Sequence, residues 1–210
     1  MRLWTLQLWP AWEVFQDRGV LRADGRRAWP NLRMQYRWMM EQMEERIPGY
    51  GGRFPIWAWY EPKPDLRGTH HFSGGQRAVR IEFEVPEDRV LLSHFGTWHI
   101  PLNEGYFHVA CSEAELDAAW EWWEERSGGG RWDDLSPELK AEVKQSWERI
   151  FDLDHHRSYP EMYGTYEVQA VLEEVWISEV VKVTPFTARH PARWLREMGE
   201  RKTKRTTKRG

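Results

Sequence analysis

One cysteine, Cys111, stands among 210 residues. No internal disulfide can form, and neither a secreted disulfide scaffold nor a cysteine-based zinc site fits the chain. No apolar run approaches the roughly 18 residues that a membrane span requires. The first residues, Met1-Arg2-Leu3-Trp4-Thr5-Leu6-Gln7, lack the apolar stretch and small-residue cleavage site of a signal peptide. A reducing, cytoplasmic setting with no membrane partner is therefore expected. The phosphate-binding strings G-x-G-x-x-G and G-x-x-x-x-G-K-[ST] are absent, which argues against a Rossmann enzyme or a phosphate-loop NTPase. The absence of G-x-S-x-G argues against a serine hydrolase built on that elbow.

What is present fits an ordinary globular protein, with 40% hydrophobic and 30% charged residues. The length favours one domain over two. Charge is unevenly spread. Residues 189–210 hold nine Lys/Arg against Glu197 and Glu200, a net of +7 in a chain whose total is −3, so the remainder carries −10. That break divides the chain into a single α+β domain over 1–188 and a basic C-terminal helix and tail over 189–210.

Hydrophobic periodicity supplies the elements. Residues 2–8 alternate as a strand, with Trp4, Leu6 and Leu8 on one face and Leu3, Thr5 and Gln7 on the other. Pro10 opens a short helix through Arg18, and Gly19 stops it. Leu32, Tyr36, Met39, Met40, Met43 and Ile47 recur at spacings of three and four, predicting an amphipathic helix over 30–47. Residues 54–60 predict a strand with Trp57 and Trp59 on one face, and 65–75 reads as a loop. Over 78–85, Val79, Ile81, Phe83 and Val85 point inward and Arg80, Glu82 and Glu84 outward. Residues 90–93 form another short strand, and 98–102 and 106–110 are less regular strand patterns. Ser112 and Glu115 make a capping box for a helix through Arg126. Ser136-Pro137 begins a further helix with Leu139, Val143, Trp147, Ile150 and Phe151 as its buried stripe. Residues 166–176 and 180–183 complete the strands. The expected fold is α+β, a mixed, mostly antiparallel sheet with flanking helices.

Each chemical signal has a plainer reading beside it. Fifteen tryptophans offer faces on which bases could stack, but most fall at core spacing and read as packing; Trp57 and Trp59 are the exceptions. His70-His71 and His155-His156 are adjacent pairs, not the i, i+4 pairs of a zinc helix, and read as loop histidines in solvent, so no metal site is expected. The turn over 71–75 could hold an anion. The basic tail could track phosphates, or could be a solvated terminus.

Several strings carry a resemblance: Leu3-Trp4-Thr5-Leu6-Gln7, Gly19-Val20-Leu21-Arg22-Ala23-Asp24, Pro55-Ile56-Trp57-Ala58-Trp59-Tyr60, Val90-Leu91-Leu92-Ser93, Trp98-His99-Ile100-Pro101-Leu102-Asn103 and Ser146-Trp147-Glu148-Arg149-Ile150-Phe151-Asp152. Over nearly its whole length the chain resembles an uncharacterised bacterial domain-of-unknown-function family (the 3841 family), which brings no function with it. More distantly, the order of its motifs resembles ADP-ribosyltransferases of the DNA-modifying toxin type. That likeness implies an ADP-ribosyltransferase-like fold with a cleft for NAD or a related nucleotide between the first strand and the late strand. It assigns Thr5 and Gln7 to the nicotinamide ribose, Trp59 or Tyr60 to stacking on nicotinamide, and Trp98 and Asn103 to the cofactor. Glu167 and Gln169 fall at the catalytic position. Where such enzymes carry a glutamate this chain has Gln169, and an amide cannot stabilise a developing oxocarbenium charge as a carboxylate does.

Three readings stand side by side. One is an NAD- or nucleotide-binding protein, with ADP-ribosyl transfer to nucleic acid or protein as its activity. The second is a non-enzymatic RNA- or DNA-binding module using the basic tail and exposed aromatics, and the third is a protein-interaction partner. The partition itself is testable: deletion of 199–210 should leave a cooperative melt unchanged, and loss of that melt would make the tail part of the fold.

Overall fold

The computed structural model describes residues 1–61, 63 and 72–189. His70-His71, most of the loop expected over 65–75, and residues 190–210 of the basic segment lie outside them. Among the described residues, β1 (Arg2–Leu8) runs directly into α1 (Trp9–Arg18), where Pro10 occupies the first turn and Gly19 closes the helix at φ 69°. There follow β2 (Val20–Arg22), α2 (Arg33–Arg46), β3 (Ile56–Glu61), β4 (Arg77–Glu84), β5 (Leu91–His94) and α3 (His99–Leu102). The second half contributes α4 (Glu113–Ser127), α5 (Pro137–Ser146), α6 (Leu153–Ser158), α7 (Pro160–Tyr163), β6 (Val168–Leu172), β7 (Glu174–Trp176) and β8 (Val180–Thr187).

The fold is α+β. Six strands form one sheet in the order β5-β6-β3-β1-β4-β8, every neighbouring pair antiparallel, and β2 pairs with β7 in a separate ribbon. Two apolar cores lie against it. Leu3, Ile56, Ala58, Val79, Ile81, Phe83, Ala170 and Leu172 pack with Trp12 and Phe15 of α1 and Val175 of β7. On the other face, Trp57, Leu91 and Val171 meet a helical layer through Trp38, Met39, Met43, Trp98, Trp123 and Trp147. Trp147 is fully buried and donates its indole N–H to the Gly105 carbonyl at 2.6 Å, so its polar edge is satisfied inside the core. No described helix is long and apolar enough to cross a membrane.

Several expectations are corrected. The pattern at 98–102 is a helical turn, α3: Pro101 has no N–H for a ladder, and Trp98 N–H bonds the His94 carbonyl at 3.2 Å. Residues 106–110 pair with no strand because side chains take their amides, Ser146 Oγ bonding Phe107 N–H and Tyr163 Oη bonding Ala110 N–H, both at 2.9 Å. In α2 the buried face keeps Met39 and Met43 from the apolar stripe read from the sequence, with Ile47 buried just past the helix, but it also takes in Gln35, Trp38 and Gln42. Its two glutamines disguised that face; Gln35 donates to Glu104 at 3.3 Å. In β4, Arg80 and Glu82 are not solvent-facing, each being 8% exposed, with Trp4 and Leu6 of β1 and Lys182 and Thr184 of β8 as their neighbours across the sheet.

His155 and His156 are helical, in α6, and His156 is buried. Its Nε2–H donates to the Arg149 carbonyl at 2.9 Å, and its ring lies 4.7 Å from that of buried His94. Burial, reinforced by His94, pushes His156 down to about 4, and burial also lowers His94. Both are neutral in the fold and charge on unfolding below about pH 6.5. The stability that His156 contributes is therefore complete above about pH 6.5 and declines as pH falls toward 4, at up to about 1.4 kcal/mol per pH unit, and His94 adds to the loss in the same direction. Urea titrations at pH 7 and pH 5 should show this loss. In His156→Gln the slope over this window should fall, the remainder belonging to His94 and to His108, which burial lowers as well; an unchanged slope would assign the titration elsewhere.

Candidate functional site

The centre of the sheet is its least paired line. β1 is paired with β4 at all seven of its residues, and β3 with β6 from Ile56 to Glu61, but β1 and β3 meet only at Trp4–Trp59. Past that bridge the two strands form no further ladder, and a cleft of about 1230 Å³ opens. Thr5, Leu6, Gln7 and Leu8 line one wall and Ile56, Trp57, Ala58 and Trp59 the other. Consecutive strand residues point to opposite faces, so a wall made of four in succession is the strand edge itself. The backbone N–H and C=O groups that an intact ladder would consume face the opening.

One side chain bridges the gap. Thr5 is buried, its hydroxyl donates to the Trp57 carbonyl at 3.0 Å, and Gln7 Nε2–H donates back to Thr5 Oγ1 at 3.0 Å. Trp59 stands on the sheet face of its register partner Gln169, whose amide donates to Ser93 Oγ at 3.3 Å. Trp59 packs on Phe95 with ring centroids 4.8 Å apart, and Trp98 packs on Trp57 at 5.1 Å.

Of the residues singled out from the sequence, the cleft gathers Thr5, Gln7, Trp59, Trp98 and Gln169. Tyr60 turns to the opposite face and packs against the Leu3–Phe83 core. Asn103 is exposed at the end of α3, donating to the His99 carbonyl at 2.6 Å. Glu167 immediately precedes β6, its carbonyl accepting from Phe95 N–H at 2.8 Å, and it is not among the cleft-lining residues.

The sequence reading passed over the mouth. Arg18, Arg22, Arg26 and Arg27 line it, with Asp24 as the single carboxylate among the described lining residues and His99 on the far side beside Phe95. Arg22 is engaged by Glu174 at 2.8 Å, while Asp24 accepts from the Arg26 guanidinium at 2.9 Å, which holds its carboxyl below the usual range. Tyr36 and Phe54 complete the aromatic wall, and burial raises the Tyr36 hydroxyl. The cluster Arg22-Ala23-Asp24-Gly25-Arg26-Arg27 was the available signal. Its glycine is sterically required, because a Cβ on Gly25 would lie 2.4 Å from the Phe54 ring.

The most exposed tryptophans separate by surroundings. Trp120 and Trp122 project from different sides of α4, a helix rich in glutamate, with the Arg126 guanidinium 5.8 Å from the Trp122 ring centroid; Trp29, 70% exposed, follows Arg26 and Arg27 at the mouth. Among the described residues no group of three or more His, Cys, Asp or Glu is placed to hold a metal ion.

A family model described as Domain of unknown function (DUF3841) matches residues 2–180, and the chain belongs to that family. No curated protein and no solved structure matches it.

If the Thr5 hydroxyl is the tie across the open seam, Thr5→Val should lower stability by about 1–2 kcal/mol through the unpaired Trp57 carbonyl. An unchanged urea midpoint would show that the seam is held by other contacts.

Proposed function

We propose that the cleft binds a nucleotide of the NAD type. The observation that carries this reading is the composition of one opening: an aromatic wall of Trp57, Trp59, Phe95 and Trp98, the amides of Gln7 and Gln169, and an arginine-lined mouth. Aromatic faces take a planar base or nicotinamide ring by stacking. Side-chain amides and free strand-edge groups supply donors and acceptors for ribose hydroxyls, and arginine suits a diphosphate by bidentate, charge-assisted bonds. The mixture of a mostly apolar wall with a few convergent polar groups is what small-molecule sites share.

We assign binding ahead of turnover. Cleavage of a nicotinamide–ribose bond develops positive charge on the sugar, and a carboxylate is the group that stabilises it. Asp24 is the only carboxylate on the cleft lining among the described residues, and Arg26 already occupies it. ADP-ribosyl transfer would have to draw on Glu167, beyond the wall. The glutamate-rich composition of α4 weighs against Trp120 and Trp122 as a nucleic-acid surface, although Arg126 lies over Trp122.

NAD should raise the melting temperature in a saturable way, and Trp59→Ala should remove about 1–3 kcal/mol of that affinity. Free nicotinamide should not accumulate. Its release above background, abolished by Glu167→Gln, would establish the enzyme reading instead; a flat thermal response to NAD would remove both.

A further inference from the structure

Positive charge is concentrated at one place on an acidic body. Residues 17–37 hold six arginines against Asp17 and Asp24, a net of +4, while 1–188 as a whole carries −10, so the rest of that domain stands at −14. Four of the six, Arg18, Arg22, Arg26 and Arg27, line the mouth of the cleft. A fifth, Arg33, lies on α2 one turn before the lining residue Tyr36. The carboxylates in contact with this group do not neutralise it. Glu174 engages Arg22, and Asp24 serves both Arg26 at 2.9 Å and Arg27 at 3.9 Å. Among the described residues Arg18, Arg33 and Arg37 form no ion pair. All six cations are arginine, whose planar fork matches phosphate oxygens in pairs.

Trp29 is the second observation. It directly follows the lining residue Ala28 and, at 70%, is the most exposed of the large hydrophobic side chains. It belongs to neither apolar core, so packing does not explain it. Its backbone is nevertheless fixed. Pro30 holds it out of the helical region, at φ −60° and ψ 131°, and its carbonyl accepts from Leu32 N–H at 2.9 Å. An indole face held in solvent beside free guanidinium groups is the pairing by which proteins bind single strands, with a base on the ring and phosphates on the cations.

The cleft itself leaves room for more than a compact ligand. Its 1230 Å³ exceeds the roughly 300–1,000 Å³ of most small-molecule sites. A ligand lying wholly against the aromatic wall would leave Trp29 and the unpaired arginines without a role.

We propose that the nucleotide entering the cleft is carried by a single strand of nucleic acid. One base goes to the wall of Trp57, Trp59 and Trp98, the next stacks on Trp29, and the phosphates between them meet Arg18, Arg26 and Arg27. The strand is single because a base drawn from a duplex must first be unpaired and unstacked, at a cost of about a few kcal/mol. The proposal rests on the nucleotide reading of the cleft and states the form in which that nucleotide arrives.

The test is fluorescence anisotropy of the full chain with a labelled single-stranded DNA of about a dozen nucleotides, a length that spans such a groove. Whatever the +7 segment at 189–210 adds to binding is common to all variants, so point substitutions report on the mouth. Trp29→Ala should weaken binding about fivefold or more, the loss of one base stack, with an unchanged melting temperature. Arg27→Gln should weaken it and reduce the slope of log affinity against log salt by about 0.7. Trp59→Ala should weaken it as well, NAD should compete, and the same sequence as a duplex should bind less tightly. Absence of saturable binding would overturn the proposal. So would wild-type affinity in both Trp29→Ala and Arg27→Gln, which would place the strand on the basic segment. Indifference to both Trp59→Ala and NAD would put every base outside the cleft and overturn it too. A saturable thermal response to NAD without strand binding would leave the nucleotide reading standing and this proposal failed; strand binding that needs Trp29 and Trp59, with no thermal response to NAD, would uphold the strand and remove NAD as the ligand.

Discussion

The arrangement depends on the way β1 and β3 meet. A sheet is normally most tightly bonded at its centre and loosest at its rims, yet here the central pair shares the single bridge Trp4–Trp59. Neither strand is loose for that reason. Each is tied along its other side, β1 to β4 and β3 to β6, so the cost of the missing ladder falls on a short seam. The Thr5 hydroxyl meets part of it, reaching across to the Trp57 carbonyl where a backbone amide would otherwise donate. Two separate cores, one under each face, let the halves of the sheet keep their positions while the line between them stays open.

From that opening the chemistry of the site follows. Strand edges bring main-chain donors and acceptors, and the faces bring side chains: the aromatic groups and Gln169 from the helical-layer side, Thr5 and Gln7 from the other. Parity would keep these two sets apart across a continuous sheet; only an interrupted one lets them share a cavity. The positive groups lie outside the aromatic wall, at the mouth.

The elements were largely legible because their signals are local. The Pro10-to-Gly19 helix, the Ser112 cap and the β4 alternation each rest on a few adjacent residues. The tertiary facts were not. Gln35 and Gln42 look solvent-facing by type, yet lie on the buried face of α2. Arg80 and Glu82 alternate with β-branched and aromatic residues as an exposed face should, and what buries them is a property of the assembled sheet. Resemblance to a motif order placed Thr5, Gln7, Trp59, Trp98 and Gln169 on one cleft, but it also nominated Tyr60 and Glu167, which strand direction and position keep off its wall. The arginine mouth went unnoticed because a run of charges near a turn has a common, uninformative explanation as solvated surface.

The seam also bears on how this chain keeps company with itself. Unpaired strand edges are the places where proteins recruit a stray strand and aggregate, and most folds defend them at the rim with charge, bulges or brevity. Besides the outer edges of β5 and β8, this sheet has two facing inward, walled by α1 on one side and the helical layer on the other. The inner pair is shielded by its surroundings, because the strand edges open only into a walled cleft of about 1230 Å³. Enclosure there takes the place of electrostatic repulsion, which leaves the cleft free to be aromatic.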